Sequence, residues 1–278
     1  MHGMLYPWLV RSIYGQQRRA QSHLTANSIK KRGMGRNHLS LAGRARLAAL
    51  LALALVTPPL ASADTLTPPD PLLAIGWLGF DMSVPSTSAS CSAVLIAPDL
   101  VATAAHCVVD GKTGAPRPVA RMTFAAGRTG DSAAALRHGA EVILPEPRHL
   151  LGGALPYDAA LLRLDAPIPA SEVTPLPLAP APPAAGDILS LRGYARETPA
   201  TPTDRSDCIV RLAGPDVIGL TCPAVTGFSG GAILDLSTGT PRLAAIMVAR
   251  GQGPTSLGTY AVTLPPDLLA LLPANPAP

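Results

Sequence analysis

Residues 1 to 63 contain no Asp or Glu, against nine Lys or Arg. That absence reverses the meaning of the whole-chain charge of +4, because residues 64 to 278 hold the other 13 basic residues and all 18 acidic ones, a net charge of −5. The basic character belongs to the first segment, so no nucleic-acid partner is implied by it. The apolar run Leu47 to Val56 falls well short of the ~20 residues that a spanning helix needs, and no stable membrane span is expected. The four cysteines are not in CxxC or zinc-ligand spacing, and the ligand-type residues are neither clustered nor suitably spaced, so no metal site is suggested. Nucleotide-binding loops, internal repeats and coiled-coil patterns are also missing, and no cofactor is expected.

The acid-free segment has the layout of an export signal. Arg44 and Arg46 precede the apolar run, Pro58 and Pro59 break it, and Ala61-Ser62-Ala63 supplies a small-x-small ending. Cleavage is expected after Ala63, giving a secreted or periplasmic protein. Residues 1 to 33 form a long basic preamble, and Met34 rather than Met1 would give a signal of ordinary length. Arg18-Arg19 lies too far from the apolar run for twin-arginine export. All four cysteines lie beyond the leader, where disulfides are the natural state.

Two loops of small residues carry chemistry: Thr103-Ala104-Ala105-His106-Cys107 and Thr226-Gly227-Phe228-Ser229-Gly230-Gly231. A serine hydroxyl is a weak nucleophile until a neighbouring base takes its proton, and the base works best when a carboxylate orients its ring. Between the two loops, Tyr157-Asp158-Ala159-Ala160-Leu161-Leu162-Arg163-Leu164 places one acid at the head of an apolar strand-like run. His138 and His149 are the rival bases, in polar or proline-rich surroundings; Glu141, Glu146 and Asp165 are the rival acids.

The motifs TAAHC, DAALLRL and GFSGG, in that order, resemble the chymotrypsin/trypsin family of serine peptidases. The order His, Asp, Ser separates them from subtilisin-type and α/β-hydrolase arrangements. The resemblance implies two antiparallel six-stranded β-barrels with the active site between them, and a catalytic triad of His106, Asp158 and Ser229. It also implies an oxyanion hole built from the backbone N–H groups of Gly227 and Ser229, and a protein or peptide substrate. A monomer is expected.

The pattern of short runs supports an all-β fold. Candidate strands are Leu72 to Phe80, Ser92 to Ala97, Val119 to Ala125, Ala140 to Leu144 and Ala159 to Leu164, separated by Gly, Pro and Asp breaks. After a proline-dense stretch from Pro167 to Pro183 they resume at Ile188 to Leu191, Ile209 to Leu212, Val217 to Thr221, Ala232 to Leu236, Leu243 to Val248 and Thr259 to Val262. Asp267 to Leu272 reads as a short C-terminal helix. The expected organisation is a leader at 1–63, an N-terminal barrel at 64–168, a connector at 169–183, and a C-terminal barrel with its helix at 184–278.

Four cysteines allow three pairings. The local one, Cys91 with Cys107 and Cys208 with Cys222, closes two short loops; the first pair matches the family, while the second has no secure counterpart there. A loop of this size contributes ~3 kcal/mol in the chain-entropy description.

Two positions depart from the family. Phe228 replaces the aspartate that usually precedes the nucleophile, and the expected mature start, Asp64-Thr65-Leu66-Thr67, lacks the Ile-Val-Gly-Gly type of terminus with which that aspartate pairs. Either local packing, with Phe228 as a candidate, holds the oxyanion loop, or Phe228 leaves it collapsed. No acid lies between Asp216 and Ser229, and Pro223 and Ala224 fall where trypsin carries its specificity aspartate, so cleavage after Lys or Arg is not favoured. By the same alignment Val248, Ala249 and Arg250 form the strand that pairs with substrate. Arg250 either narrows the pocket or attracts an acidic side chain, or is a solvated strand-end charge. A second reading is an inactive exported binding or scaffold protein on the same fold; an α/β-hydrolase esterase would need its serine before its histidine.

Overall fold

Short stretches of small and branched apolar residues, punctuated by Pro, Gly and Asp, build antiparallel strands too short to stand alone. The computed structural model describes residues 69–80, 90–146, 155–251 and 257–272, all within one unit, Ala63–Pro278. The expected export signal, its cleavage point, the start at Asp64 and the rival base His149 lie outside the described residues.

The first barrel consists of β1 (Ile75–Gly79), β2 (Cys91–Ala97), β3 (Leu100–Thr103), β4 (Thr123–Ala126), β5 (Ala135–Ile143) and β6 (Ala160–Leu164), closed in the order β1-β2-β3-β6-β5-β4. The second consists of β7 (Ile188–Gly193), β8 (Thr203–Ala213), β9 (Val217–Leu220), β10 (Ala232–Asp235), β11 (Arg242–Arg250) and β12 (Thr259–Val262), closed as β10-β11-β12-β9-β8-β7. Both barrels therefore share one connectivity, and closure satisfies the strand edges internally. One-turn helices lie at α1 (Ala105–Val108), which carries His106, and α2 (Pro266–Leu269). The architecture is chymotrypsin-like, as the motifs imply, and no helix among the described residues is long and apolar enough to cross a membrane.

The boundaries differ from the sequence expectation where apolar content and strand geometry part company. Pro71–Ala74 forms a 3-10 turn whose first free amide, Leu72 N–H, donates to the Asp70 carboxylate at 2.9 Å, so the first strand starts only at Ile75. Pro118 likewise starts a turn over Val119–Arg121, and β4 begins at Thr123. β3 is absent from the expectation because its four residues run directly into the histidine loop. The first halves of β5 and β8 escape because their side chains are largely solvent-facing and polar. The C-terminal helix is Pro266–Leu269 rather than Asp267 to Leu272.

The barrels are packed against each other, not merely tethered. One apolar cluster contains Val94, Leu95, Leu161 and Leu162 from the first barrel together with Leu243, Ile246 and Val262 from the second. The proline-rich connector takes part: Val173 and Leu176 are fully buried. Leu176 N–H donates to Leu95 C=O at 2.9 Å, and Leu243 N–H donates to Pro177 C=O at 2.8 Å, so the connector is stitched to both barrels.

Candidate active site

His106 and Asp158 form the best-defined polar pair between strands. His106 Nδ1 lies 2.7 Å from Asp158 Oδ2, and the His106 backbone N–H donates to Asp158 Oδ1 at 2.9 Å. One carboxylate thus fixes both the ring and the backbone of the short helix that carries it. Ala105 N–H also donates to Asp158 C=O at 3.3 Å, which ties α1 to the head of β6. The Asp158 side chain is 15% exposed and the His106 side chain 46%, so the acid is sheltered while the imidazole remains open to solvent. In a neutral imidazole, donation of Nδ1–H to the carboxylate makes Nε2 the acceptor nitrogen.

The serine loop meets the histidine loop through glycine. At Gly230, φ is +82°, and an added Cβ would collide with Ser92 C=O and Thr103 Oγ1, just before the His106 helix. Cys107 Sγ, one residue beyond His106, lies 3.8 Å from Ser229 C=O. These contacts set the Ser229 backbone against the short segment that carries His106. Among the described residues the Ser229 hydroxyl makes no hydrogen bond, an open state common in ligand-free hydrolases, where the nucleophile–base contact tightens with substrate.

Three amides in this loop, those of Thr226, Gly227 and Ser229, donate to no protein acceptor among the described residues, and the last two lie on either side of Phe228. Gly227 is buried and Ser229 partly so. Buried amides are nearly always paired, so the free amide of buried Gly227, with that of Ser229 beyond Phe228, is available to a ligand oxygen. Their direction is set from behind. Thr226 C=O accepts from Arg196 N–H at 2.8 Å, and Phe228 C=O accepts from Gly231 N–H at 2.7 Å. Because a trans peptide points N–H and C=O to opposite sides, anchoring each carbonyl aims the next amide the other way. Gly227 has φ +98°, and a Cβ there would strike Tyr194 C=O, so glycine is required.

Phe228 is fully buried in the second barrel's core with the Arg205 guanidinium 5.8 Å from its ring centroid. The disulfides join Cys91 to Cys107 and Cys208 to Cys222. The first fastens β2 to the His106 helix; the second fastens β8 to the turn before Pro223 and Ala224. Cys91, His106 and Cys107 cluster tightly enough to suggest metal ligands, but both sulfurs are committed to the disulfide and offer no thiolate.

Gly258 links the segment of Pro223 and Ala224 to the end of the Val248–Arg250 strand. Its carbonyl accepts from Ala224 N–H at 3.3 Å and from Gly251 N–H at 3.1 Å. Pro223 and Arg250 are exposed, Ala224 and Val248 buried, and Ala249 intermediate. β10 pairs with β11 only as far as Ile246, while Ala249 and Arg250 pair on the other side with Tyr260 and Thr259 of β12. The other edge at Val248 to Arg250 has no strand beside it among the described residues.

The rival residues are otherwise engaged. His138 N–H donates to Asp165 at 3.0 Å and its ring contacts Thr123 Oγ1 at 3.3 Å, while Glu141 accepts from Arg163 at 3.2 Å. The sequence reading missed Ser92, Tyr194, Arg196 and Gly258. Only Gly258, a glycine immediately before a strand, carried any visible signal.

Residues 91–241, more than half of the chain, match the family described as trypsin-like peptidase domain. The chain belongs to this family. No curated protein sequence matches it. Among solved structures this trypsin-like domain is similar to a Glu endopeptidase in complex with MPD, with TM-score 0.58 and 19% identity over 72% of this chain and 88% of the other. It is also similar to the thermostable serine protease AL20 from an extremophilic microorganism, with TM-score 0.55 and 19% identity over 69% and 91%. A third is the scabies mite inactivated protease paralogue S-I1, with TM-score 0.54 and 15% identity over 69% and 89%. At these identities the likeness carries the barrel architecture alone, and one of the three is an inactivated protease.

Proposed function

We propose that this trypsin-like domain is an exported serine endopeptidase with His106, Asp158 and Ser229 as its triad. The observation that carries the reading is the pairing of a carboxylate-bound imidazole with two unpartnered amides on the neighbouring serine loop. Ser229 Oγ attacks the peptide carbonyl and His106 Nε2 takes its proton. The carbonyl oxygen moves into the space faced by Gly227 N–H and Ser229 N–H, where fixed donors stabilise developing negative charge. His106 returns the proton to the departing amine, an acyl-enzyme remains, and water attacks by the same route in reverse.

Substrate backbone is added along the open edge at Val248 to Arg250, with the first side chain directed between Pro223-Ala224 and that strand. With no acid in that wall, the enzyme does not favour Lys or Arg at the cleaved position. The two disulfides fit an oxidising compartment, and residues 1–63 act as the leader. The enzyme works as a monomer without metal or cofactor. Since the Thr226 and Phe228 carbonyls are both anchored with Phe228 buried beneath the loop, no new amino terminus is needed for activation.

Protein beginning at Asp64 is expected to digest casein and peptide libraries without further processing, and Ser229→Ala to abolish both activities. A folded wild-type protein that cleaves nothing favours the scaffold reading, in keeping with the inactivated paralogue that shares this fold.

A further inference from the structure

Three consecutive carbonyls of the serine loop are anchored, and the middle anchor differs from its neighbours. Thr226 and Phe228 carbonyls are held by backbone amides of the second barrel itself. Gly227 C=O instead accepts from the hydroxyl of Ser92, at 3.0 Å, on β2 of the first barrel. Ser92 Oγ in turn accepts from Tyr194 N–H at 2.8 Å. Ser92 is fully buried, and its backbone is also engaged: Ser92 N–H donates to Ser229 C=O at 2.7 Å and Ser92 C=O accepts from Thr103 Oγ1 at 2.8 Å.

We infer that the Ser92 hydroxyl is a positioning residue for the oxyanion-binding amides, an inference that rests on the peptidase reading above. The peptide plane between Gly227 and Phe228 lies between the two donor amides. Gly227 has no Cβ to resist rotation, so the conformational freedom that permits its φ of +98° also permits the plane to turn. Two bonds oppose turning, the one from the Ser92 hydroxyl to the carbonyl at 3.0 Å and a longer one from Phe228 N–H to Val225 C=O at 3.2 Å. Without the hydroxyl, Gly227 C=O and Tyr194 N–H would both be buried and unpaired, and rotation of the glycine peptide is the cheapest way for the carbonyl to find a new donor. That rotation changes ψ of Gly227 and φ of Phe228, the two angles that set how the planes carrying Gly227 N–H and Ser229 N–H are oriented to each other. The anchor comes from the opposite barrel, so the oxyanion site is completed only when the barrels are docked.

The test compares Ser92→Ala and Ser92→Gly with wild type and with Val142→Ala, a truncation on β5 of the first barrel that lowers Tm with kcat unchanged. All are assayed well below their melting temperatures, with kcat and KM measured separately and the affinity for a peptidyl boronate measured alongside. Loss of one oxyanion donor typically costs 10²- to 10³-fold in kcat, and a misaimed donor less, so Ser92→Ala is expected to lose about 10- to 100-fold in kcat. Its KM should stay within about threefold, with boronate affinity falling in step with kcat. Ser92→Gly removes the same hydroxyl with less bulk and is read in the same way should the alanine variant not fold. A folded Ser92 variant with wild-type kcat and boronate affinity, or one that merely behaves like Val142→Ala, overturns this inference alone. An inactive wild type overturns the peptidase reading beneath it.

Discussion

At the scale of single residues, Asp158 and Gly227 do different work. Asp158 holds His106 by two bonds, to the ring and to the backbone. Asp158→Asn keeps the volume but offers the ring an amide, which favours the wrong tautomer. Steady-state kinetics should show kcat falling about 10⁴-fold with KM little changed. Gly227→Ala meets two obstacles, a φ of +98° and the Tyr194 carbonyl in the path of the new methyl. It should unfold at least about 1 kcal/mol more easily in urea and hydrolyse ester substrates poorly. The motif residues were legible in the sequence because nucleophile, base and orienting acid need particular side chains within short, small-residue contexts. Ser92 was not, since a buried serine in the run Cys91–Ala97 looks like a filler until its partners, Gly227 and Tyr194, are seen across the barrel seam.

At the scale of elements, the Cys91–Cys107 bridge ties β2 to the helix bearing His106. Replacing both cysteines with alanine should cost about 3 kcal/mol in denaturant unfolding, in line with a loop of this length. It should also lower kcat, because α1 is a single turn with no side-chain cap of its own. The strands that could be read from the chain, such as β10 and β12, consist mostly of buried residues and are largely apolar. Those that were cut short, β5 and β8, expose much of their length in polar side chains, and there the pairing partner rather than the residue itself decides extension. Pro71 and Pro118 shortened other runs by starting turns among apolar residues.

At the scale of the whole molecule, the seam between barrels is where fold and chemistry meet. Tyr194, at the end of β7, donates its hydroxyl to Arg128 C=O of the first barrel at 3.1 Å, while the Arg128 guanidinium lies 5.0 Å from the Trp77 ring centroid. Burial pushes the Tyr194 phenol up from 10.0 to about 12, against smaller opposing effects of Arg192 and the Arg128 carbonyl. The folded state therefore holds this proton more tightly than the unfolded chain does. The contribution is complete below pH 10 and is lost as pH rises from 10 toward about 12. Thermal melts across that range should show a steep alkaline loss of stability, which Tyr194→Phe flattens at a cost of about 1 kcal/mol near neutral pH for the missing hydrogen bond. Two-barrel closure was anticipated by the family resemblance, whereas the seam depends on residues far apart in the chain, 66 positions for Tyr194 and Arg128 and 135 for Ser92 and Gly227, and leaves no local pattern to read.

The most direct measurement is mass mapping of the protein beginning at Asp64 after exposure to a fluorophosphonate. A single adduct on Ser229, formed without prior proteolysis and lost in His106→Ala, is the expected result. A folded protein that stays unmodified, or carries its adduct on another serine, would contradict the assignment of Ser229 as a nucleophile activated by His106 and Asp158.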